Sequence, residues 1–312
     1  MIHPLKNKIS HQTLLIFLLI LTFCNHSFAW NKPGHMTTGA IAAKELKNND
    51  SAALARVVAL LKKHPSYQNV WKPVVSQRAG LDDEAVVLFA YAARWPDDAR
   101  GTSDHRELWH YINYPFKPAG QPASVNPADP QEVNIEEAFR ENIETLRNAS
   151  SSDVAKAKAL CWLFHLAGDS HQPLHSSALF TTAYPAGDRG GTLFFVKVPG
   201  IRSAVKLHAL WDNMVIDSED FPDIHDGYIS LTNEYRRNEL SDVNEDDQKE
   251  WIQESFRLAK ERAYLQGALR GGATRSTAQR LPNGYINDAK PMAKQRLVLS
   301  GYRLADLLER LF

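Results

Sequence analysis

Two His-x-x-x-Asp pairs, His165 with Asp169 and His208 with Asp212, constrain this chain more than any other feature. Side chains at that spacing meet only on a helix, where residues one turn apart share a face. The first pair opens the run His165-Leu-Ala-Gly-Asp169-Ser-His-Gln-Pro-Leu-His175, and the second is His208-Ala-Leu-Trp-Asp212. Each is predicted to be helical and to offer an imidazole nitrogen and a carboxylate oxygen as a two-ligand claw. Those are donors that zinc accepts, and rigid helices hold them in fixed geometry. The spacing points to a zinc site.

The remaining pattern agrees with a helical scaffold. Apolar residues recur at three- and four-residue intervals over 37–47, 51–63, 84–93, 133–147, 152–171, 203–216, 228–240, 248–265 and 289–311. The exception is a β-prone run at 190–198, opened by Gly190-Gly191 and followed by Pro199, which predicts a small hairpin or edge strand. The proline-rich segment 115–130 reads as a surface loop. With no repeat and no low-complexity linker, the expected architecture is an all-α, single-domain bundle whose helices and loops converge on one cleft.

The beginning of the chain reads as a secretory signal peptide over 1–29: Lys6 and Lys8 precede a short apolar run, and Ser27-Phe28-Ala29 supplies a cleavage site. A lipidated leader at Cys24 is the alternative, opposed by the bulky Phe23 before it. Cleavage between Ala29 and Trp30 would leave a domain at 30–312 and a free Trp30 amine, itself a nitrogen ligand, close in sequence to His35. Net charge would move from 0 to −2, because two lysines leave and no acid does. There is then no global basic field, and a polyanion must be attracted locally by metal or a few arginines. Of the two cysteines, Cys24 leaves and Cys161 lies in an apolar helix, so no intramolecular disulfide forms. An exported protein without disulfides suits the bacterial periplasm or medium.

Two further segments carry candidates. Trp95-Pro-Asp97-Asp98-Ala-Arg100 ends a helix, where Pro96 is expected to force a break and aim Asp97 or Asp98 sideways. Leu108-Trp-His110-Tyr111-Ile-Asn113 follows. Alone, these read equally as a solvated acidic turn and a hydrogen-bonded core histidine. His171 is out of phase with the His165–Asp169 face and reads as a supporting or solvent residue, while His64, His105 and His225 read as surface. Trp162 and Trp211 are expected to pack the helices around the site.

Taken together, Trp30 with His35, Trp95-x-Asp97-x-x-Arg100, His110-Tyr111-x-Asn113, His165-x-x-x-Asp169 with His175, and His208-x-x-x-Asp212 resemble the trinuclear-zinc, single-strand-specific nucleases of the mung bean nuclease type. Zinc-dependent bacterial phospholipases C share that fold and metal site. The resemblance covers essentially the whole chain after residue 29, including the late Gly301-Tyr302-Arg303-Leu304-Ala305-Asp306-Leu307-Leu308 helix.

The resemblance implies three Zn2+ ions: one held by Asp97, His110, His165 and Asp169, one by His175, His208 and Asp212, and one by the Trp30 amine and carbonyl, His35 and a shared Asp169. It implies cleavage of single-stranded DNA and RNA to 5′-mononucleotides by a metal-bound hydroxide, with Asp97 and Asp169 holding the reacting metals, and 3′-nucleotidase action. Three zinc ions against three aspartates and a hydroxide leave about +2 to face a phosphodiester. Arg100 is implied to stabilise the transition state; its alternative is a surface pair with Asp98 or Glu107. Tyr111 occupies the place of the base-stacking aromatic, with a core tyrosine as the alternative. Asn113 stands where fungal relatives carry an acid, and Thr192 stands where an asparagine follows Gly190-Gly191, so base preference does not transfer. The glycine pair suggests close backbone approach to the ligand. The rival activity is that of a phospholipase C, which usually has Glu where Asp212 stands.

Overall fold

The computed structural model describes residues 30–78 and 80–312; the expected signal peptide, 1–29, lies outside them. The centre is α1 (Lys32–Asn49), whose small and apolar residues from Pro33 to Ala43 are buried on every side. A helix without a polar face must be surrounded, and α1 packs on α4 (Glu84–Asp98), α10 (Tyr285–Leu311), α8 (Phe221–Glu234) and α6 (Asp153–Asp169). Gly39 sets the α1–α4 approach, since a Cβ there would lie 2.5 Å from the Phe89 carbonyl oxygen. Thr38 and Ser300 hydroxyls, 2.8 Å apart, join α1 to α10. The start of α1 is fixed by Asn31, whose side chain accepts from the Gly34 amide at 3.0 Å.

Around this core lie α2 (Ser51–Leu61), α3 (Lys72–Arg78), the amphipathic α5 (Ile135–Arg147), the short α7 (Leu207–Asp212) and α9 (Gln248–Leu258). Phe89 of α4 and Phe164 of α6 meet with ring centroids 4.8 Å apart, and burying each such ring contributes roughly 1.5–3 kcal/mol. The apolar core is one contiguous cluster, with a small satellite of Val125, Ala178 and Phe180. Strands are few: β1 (Pro115–Phe116) pairs in parallel with β2 (Ala178–Leu179), and β3 (Phe195–Lys197) runs between antiparallel β4 (Val205–Lys206) and parallel β5 (Gln279–Arg280). The fold is thus the expected mainly helical single domain with a hairpin following the glycine pair.

Local expectations fail where tertiary pairing or a tolerated proline overrides the pattern. Pro96 does not break α4, which runs on to Asp98; in the last turn the proline removes only its own amide bond. The expected 203–216 helix shrinks to α7 because Val205 and Lys206 join the sheet. The 228–240 helix begins instead at Phe221, with a proline in its first turn, and ends at Glu234. Within the proline-rich loop, Pro115 and Phe116 are captured as a strand. His64 is not on the surface: it is 3% exposed, stacked on Trp71 with centroids 4.5 Å apart, and burial pushes its pKa down to about 4. His105 and His225 are half-buried.

Candidate metal centre

The ligand candidates come from six segments that meet at one place. His35 lies in the first turns of α1, Asp97 at the end of α4 and His110 at the end of a 3₁₀ turn, Glu107–His110. His165 and Asp169 share one face of the last turns of α6, His175 lies in a second 3₁₀ turn, Pro173–Ser176, and His208 and Asp212 span α7. All are buried. They form three donor groups, His35/His165/Asp169, Asp97/His110/His165 and His175/His208/Asp212, with the ligand atoms of each group within 4.8 Å of one another. Both predicted helical claws are therefore formed.

Asp169 is the hinge between groups. Its Oδ2 lies 3.1 Å from His110 Nδ1 and 3.3 Å from His165 Nε2, whereas its Oδ1 lies 3.3 Å from His35 Nε2 and 3.8 Å from His175 Nδ1. One carboxylate thus addresses two donor sets. Trp30 is fully buried at the head of α1, and the next amide, Asn31 N, donates to the Asp212 carbonyl at 3.3 Å, which brings this end of the described chain against α7.

The donor set fits metal ions. His165 Nδ1 donates to the Ala93 carbonyl at 2.9 Å, His175 Nδ1 to the His110 carbonyl at 2.6 Å, and His208 Nδ1 to the Gly190 carbonyl at 2.6 Å. A carbonyl only accepts, so each Nδ1 carries the proton and each Nε2 presents its lone pair, the usual support of a metal-ligating histidine. The His175 and His208 Nε2 atoms then face each other at 3.1 Å, lone pair to lone pair, an arrangement that a shared cation relieves. Asp97 Oδ2, Asp169 Oδ1 and both ring nitrogens of His35 are buried without a hydrogen-bond partner among the described residues. Burial pushes Asp169 and Asp212 well above the ordinary carboxylate range and His35 and His110 well below the ordinary imidazole value, and takes His165 to about 4. Only added positive charge makes ionised carboxylates comfortable here.

The centre floors a cleft of about 480 Å³, where His110, His175 and His208 are reached from solvent and Arg100, Glu107, Tyr111, Asn113, Arg189, Gly190 and Thr192 form part of the wall. Arg100 pairs with neither Asp98 nor Glu107: its Nε and Nη2 donate to Asp97 Oδ1 at 3.0 and 2.7 Å. Asp98 instead pairs with Lys32 and Arg94. Tyr111 is half-buried on the cleft wall, its hydroxyl pKa raised by burial. Asn113 donates to Gln131 Oε1 at 3.4 Å, and the Thr192 hydroxyl is 3.5 Å from the Asp188 carbonyl. Gly191 is not on the cleft wall. Protein packing by itself requires the glycine pair: a Cβ on Gly190, at φ +58°, would fall 2.2 Å from the Leu174 carbonyl, and one on Gly191, at φ +80°, 3.1 Å from His208 N. The loop must pass close enough for the Gly190 carbonyl to hold His208.

Two supports were not anticipated from sequence. Gln172 donates from Nε2 to Asp212 Oδ1 at 2.6 Å, aiming that carboxylate; its place between ligands and before Pro173 was the available signal. The turn after α6 is tied down by Ser255, which donates to the Ser170 carbonyl at 2.6 Å, and by Arg303, which donates to His171 Nε2 at 2.9 Å. His171 is thus a fully buried supporting residue. Trp162 packs on His110 with ring centroids 5.3 Å apart, and Trp211 donates from Nε1 to the Tyr285 hydroxyl at 3.0 Å.

A helical domain with contiguous His/Asp donor groups under an arginine-edged cleft could hold metal ions and present positive charge to an anion. The S1/P1 nuclease family profile matches residues 30–312, and the chain belongs to that family. It is similar to three Arabidopsis thaliana proteins: Endonuclease 4 (26% identity, 95% of this chain and 93% of the relative), Endonuclease 1 (24%, 97% and 94%) and Endonuclease 5 (25%, 96% and 96%). The protein is accordingly a nuclease, a metal-dependent hydrolase of phosphodiester bonds acting on nucleic acid. Among the described residues no helix is long and apolar enough to cross a membrane.

Proposed function

We propose that the protein cleaves single-stranded DNA and RNA to 5′-mononucleotides with three zinc ions, and that the same site removes the phosphate of 3′-nucleotides. The observation that carries this reading is the division of Asp169 between two donor sets, beside a third set that shares the cleft floor. Asp97, His110, His165 and Asp169 would hold one ion, His175, His208 and Asp212 a second, and the Trp30 amine and carbonyl with His35 and Asp169 a third. Bound there, zinc supplies Lewis acidity toward the phosphodiester and a nucleophile at neutral pH.

The chain's own residues supply the rest. Asp97 holds the Arg100 guanidinium at the cleft wall, where it can donate to a phosphoryl oxygen as negative charge develops in the transition state. The carbonyls of Ala93, His110 and Gly190 fix ring orientation, so little reorganisation accompanies reaction. Tyr111 offers a ring on which an unpaired base can stack, a contact that paired bases cannot make. Asn113 and Thr192, with Gly191 setting the loop, would meet the base edge through an amide and a hydroxyl, giving a preference unlike that of a carboxylate-bearing relative. Export as a leader-cleaved secreted or periplasmic protein would generate the Trp30 amine.

The test is hydrolysis of single-stranded DNA by the protein beginning at Trp30, with duplex DNA and phosphatidylcholine in parallel, before and after zinc chelation. Chelator-sensitive release of 5′-mononucleotides from the single strand, well ahead of the duplex, is expected. Lipid cleavage with intact DNA would transfer the centre to phospholipase chemistry.

A further inference from the structure

We propose that the β3–β4 strand pair carries a second nucleotide subsite, in which Phe195 stacks an unpaired base and Lys206 with Arg275 holds a phosphate adjoining the scissile one. This inference rests on the nuclease reading of the metal centre. Phe195 and Lys206 are directly opposed in the antiparallel register, so their side chains leave the same face of the sheet. Both line the cleft that exposes His175 and His208. Along β3 the neighbours Phe194 and Val196 are buried, at 3% and 0% exposure, while Phe195 is half-buried and turned to the cleft. A phenyl ring is thus placed on the cleft wall rather than in the core.

Arg275 completes the arrangement. Its Cζ lies 5.5 Å from the centroid of the Phe195 ring, and its Nη1 donates to the Ala204 carbonyl, which anchors the guanidinium to the connection entering β4. Arg189 lines the same cleft as Lys206. Glu107, on the Tyr111 side of the cleft, is the acid that lines it. In a chain of net charge 0, local cations beside a half-buried ring on the cleft wall are the pattern that binds single-stranded polyanions through phosphates and stacking. Lys206 is also the residue preceding α7, so the subsite is held in fixed relation to His208 and Asp212.

A dinucleoside monophosphate has only the scissile phosphate, whereas a decanucleotide also supplies its neighbours. The experiment uses the zinc-loaded protein beginning at Trp30 and compares kcat/KM for these two substrates in Phe195→Ala, Phe195→Leu and Lys206→Ala/Arg275→Ala. Zinc content and thermal midpoint are recorded for each. The decamer-to-dinucleotide ratio is expected to fall about 10-fold or more in Phe195→Ala and in the double variant, with Phe195→Leu no better than Phe195→Ala. Binding of a labelled decamer by the chelated protein should lose about 0.7 in salt slope for each cation removed. An unchanged ratio and salt slope, or equal losses on both substrates, would overturn the subsite. Failure of the unaltered protein to cleave either substrate would strike the nuclease reading instead, while the salt slopes would still judge the cation pair.

Discussion

The structure predicts a large effect of Glu254→Gln, a change outside the cleft. Glu254 accepts from Arg296 Nη1 at 2.6 Å and from Arg303 Nη1 and Nη2 at 2.7 and 2.8 Å. Two buried guanidiniums, 4% and 0% exposed, thus share one carboxylate. Burial pushes the Glu254 pKa up, but the two arginines more than offset it and hold the carboxyl below its ordinary range. Its contribution is therefore present above the ordinary glutamate pKa and is lost as pH falls through the depressed folded value. Glutamine keeps the shape, removes the charge from three charge-assisted bonds, and turns amide hydrogens toward donors. Breaking a buried pair in this way costs about 3–4 kcal/mol, or a fall in Tm of roughly 5–7 °C. Because Arg303 holds His171 and Arg296 approaches the His171 carbonyl at 3.4 Å, the turn bearing Asp169 and His175 should loosen and zinc affinity should fall as well. The assay is thermal unfolding at pH 7 with zinc titration. In the triple variant Glu254→Leu, Arg296→Met and Arg303→Met, stability should largely recover while zinc affinity does not. A Tm within about 2 °C of the unaltered protein for Glu254→Gln would refute the reasoning.

Further outcomes follow from single contacts. A Cβ on Gly168 would lie 2.7 Å from His35 Nδ1, so Gly168→Ala should cost about 1–3 kcal/mol and displace His35 from Asp169, leaving two zinc ions per chain by atomic absorption; three would contradict this. A chain made with methionine ahead of Trp30 should likewise hold two ions and lose most turnover while its fold, followed by circular dichroism, persists. Burial pushes Asp188 up to about 6 while its carboxyl accepts from Leu179 N and the Tyr264 hydroxyl. Its folded pKa is raised, so stability should decline as pH rises from about 4 through 6. Asp188→Asn should remove about 2–3 kcal/mol of that decline, and a pH-independent difference between the two proteins in denaturant titrations would show the carboxyl does not titrate there.

Much of the centre was legible because helical spacing is short-range information. His165 with Asp169 and His208 with Asp212 needed only the four-residue interval, and α6 and α7 form where those pairs require helix. Three things were not legible, each because it depends on contacts distant in sequence. Val205–Lys206 leaves a helical pattern to pair with β3, a choice made by the strand beside it. The carbonyls of Ala93, His110 and Gly190 that set the imidazole tautomers leave no residue-type signature at all. The Glu254–Arg296–Arg303 cluster is drawn from α9 and α10, and on sequence alone its members look like ordinary surface charges on amphipathic helices. His64 was misplaced for the same reason: its polar sequence neighbours conceal Trp71 and Trp95, which enclose it.

The proposed cleavage depends on three zinc ions shared through Asp169. Its most direct test is a zinc titration of the chelated protein beginning at Trp30, following release of 5′-mononucleotides from single-stranded DNA. No release without metal, and a rise that saturates at three equivalents, are expected. Full release in excess chelator, or saturation at a single equivalent, would contradict it.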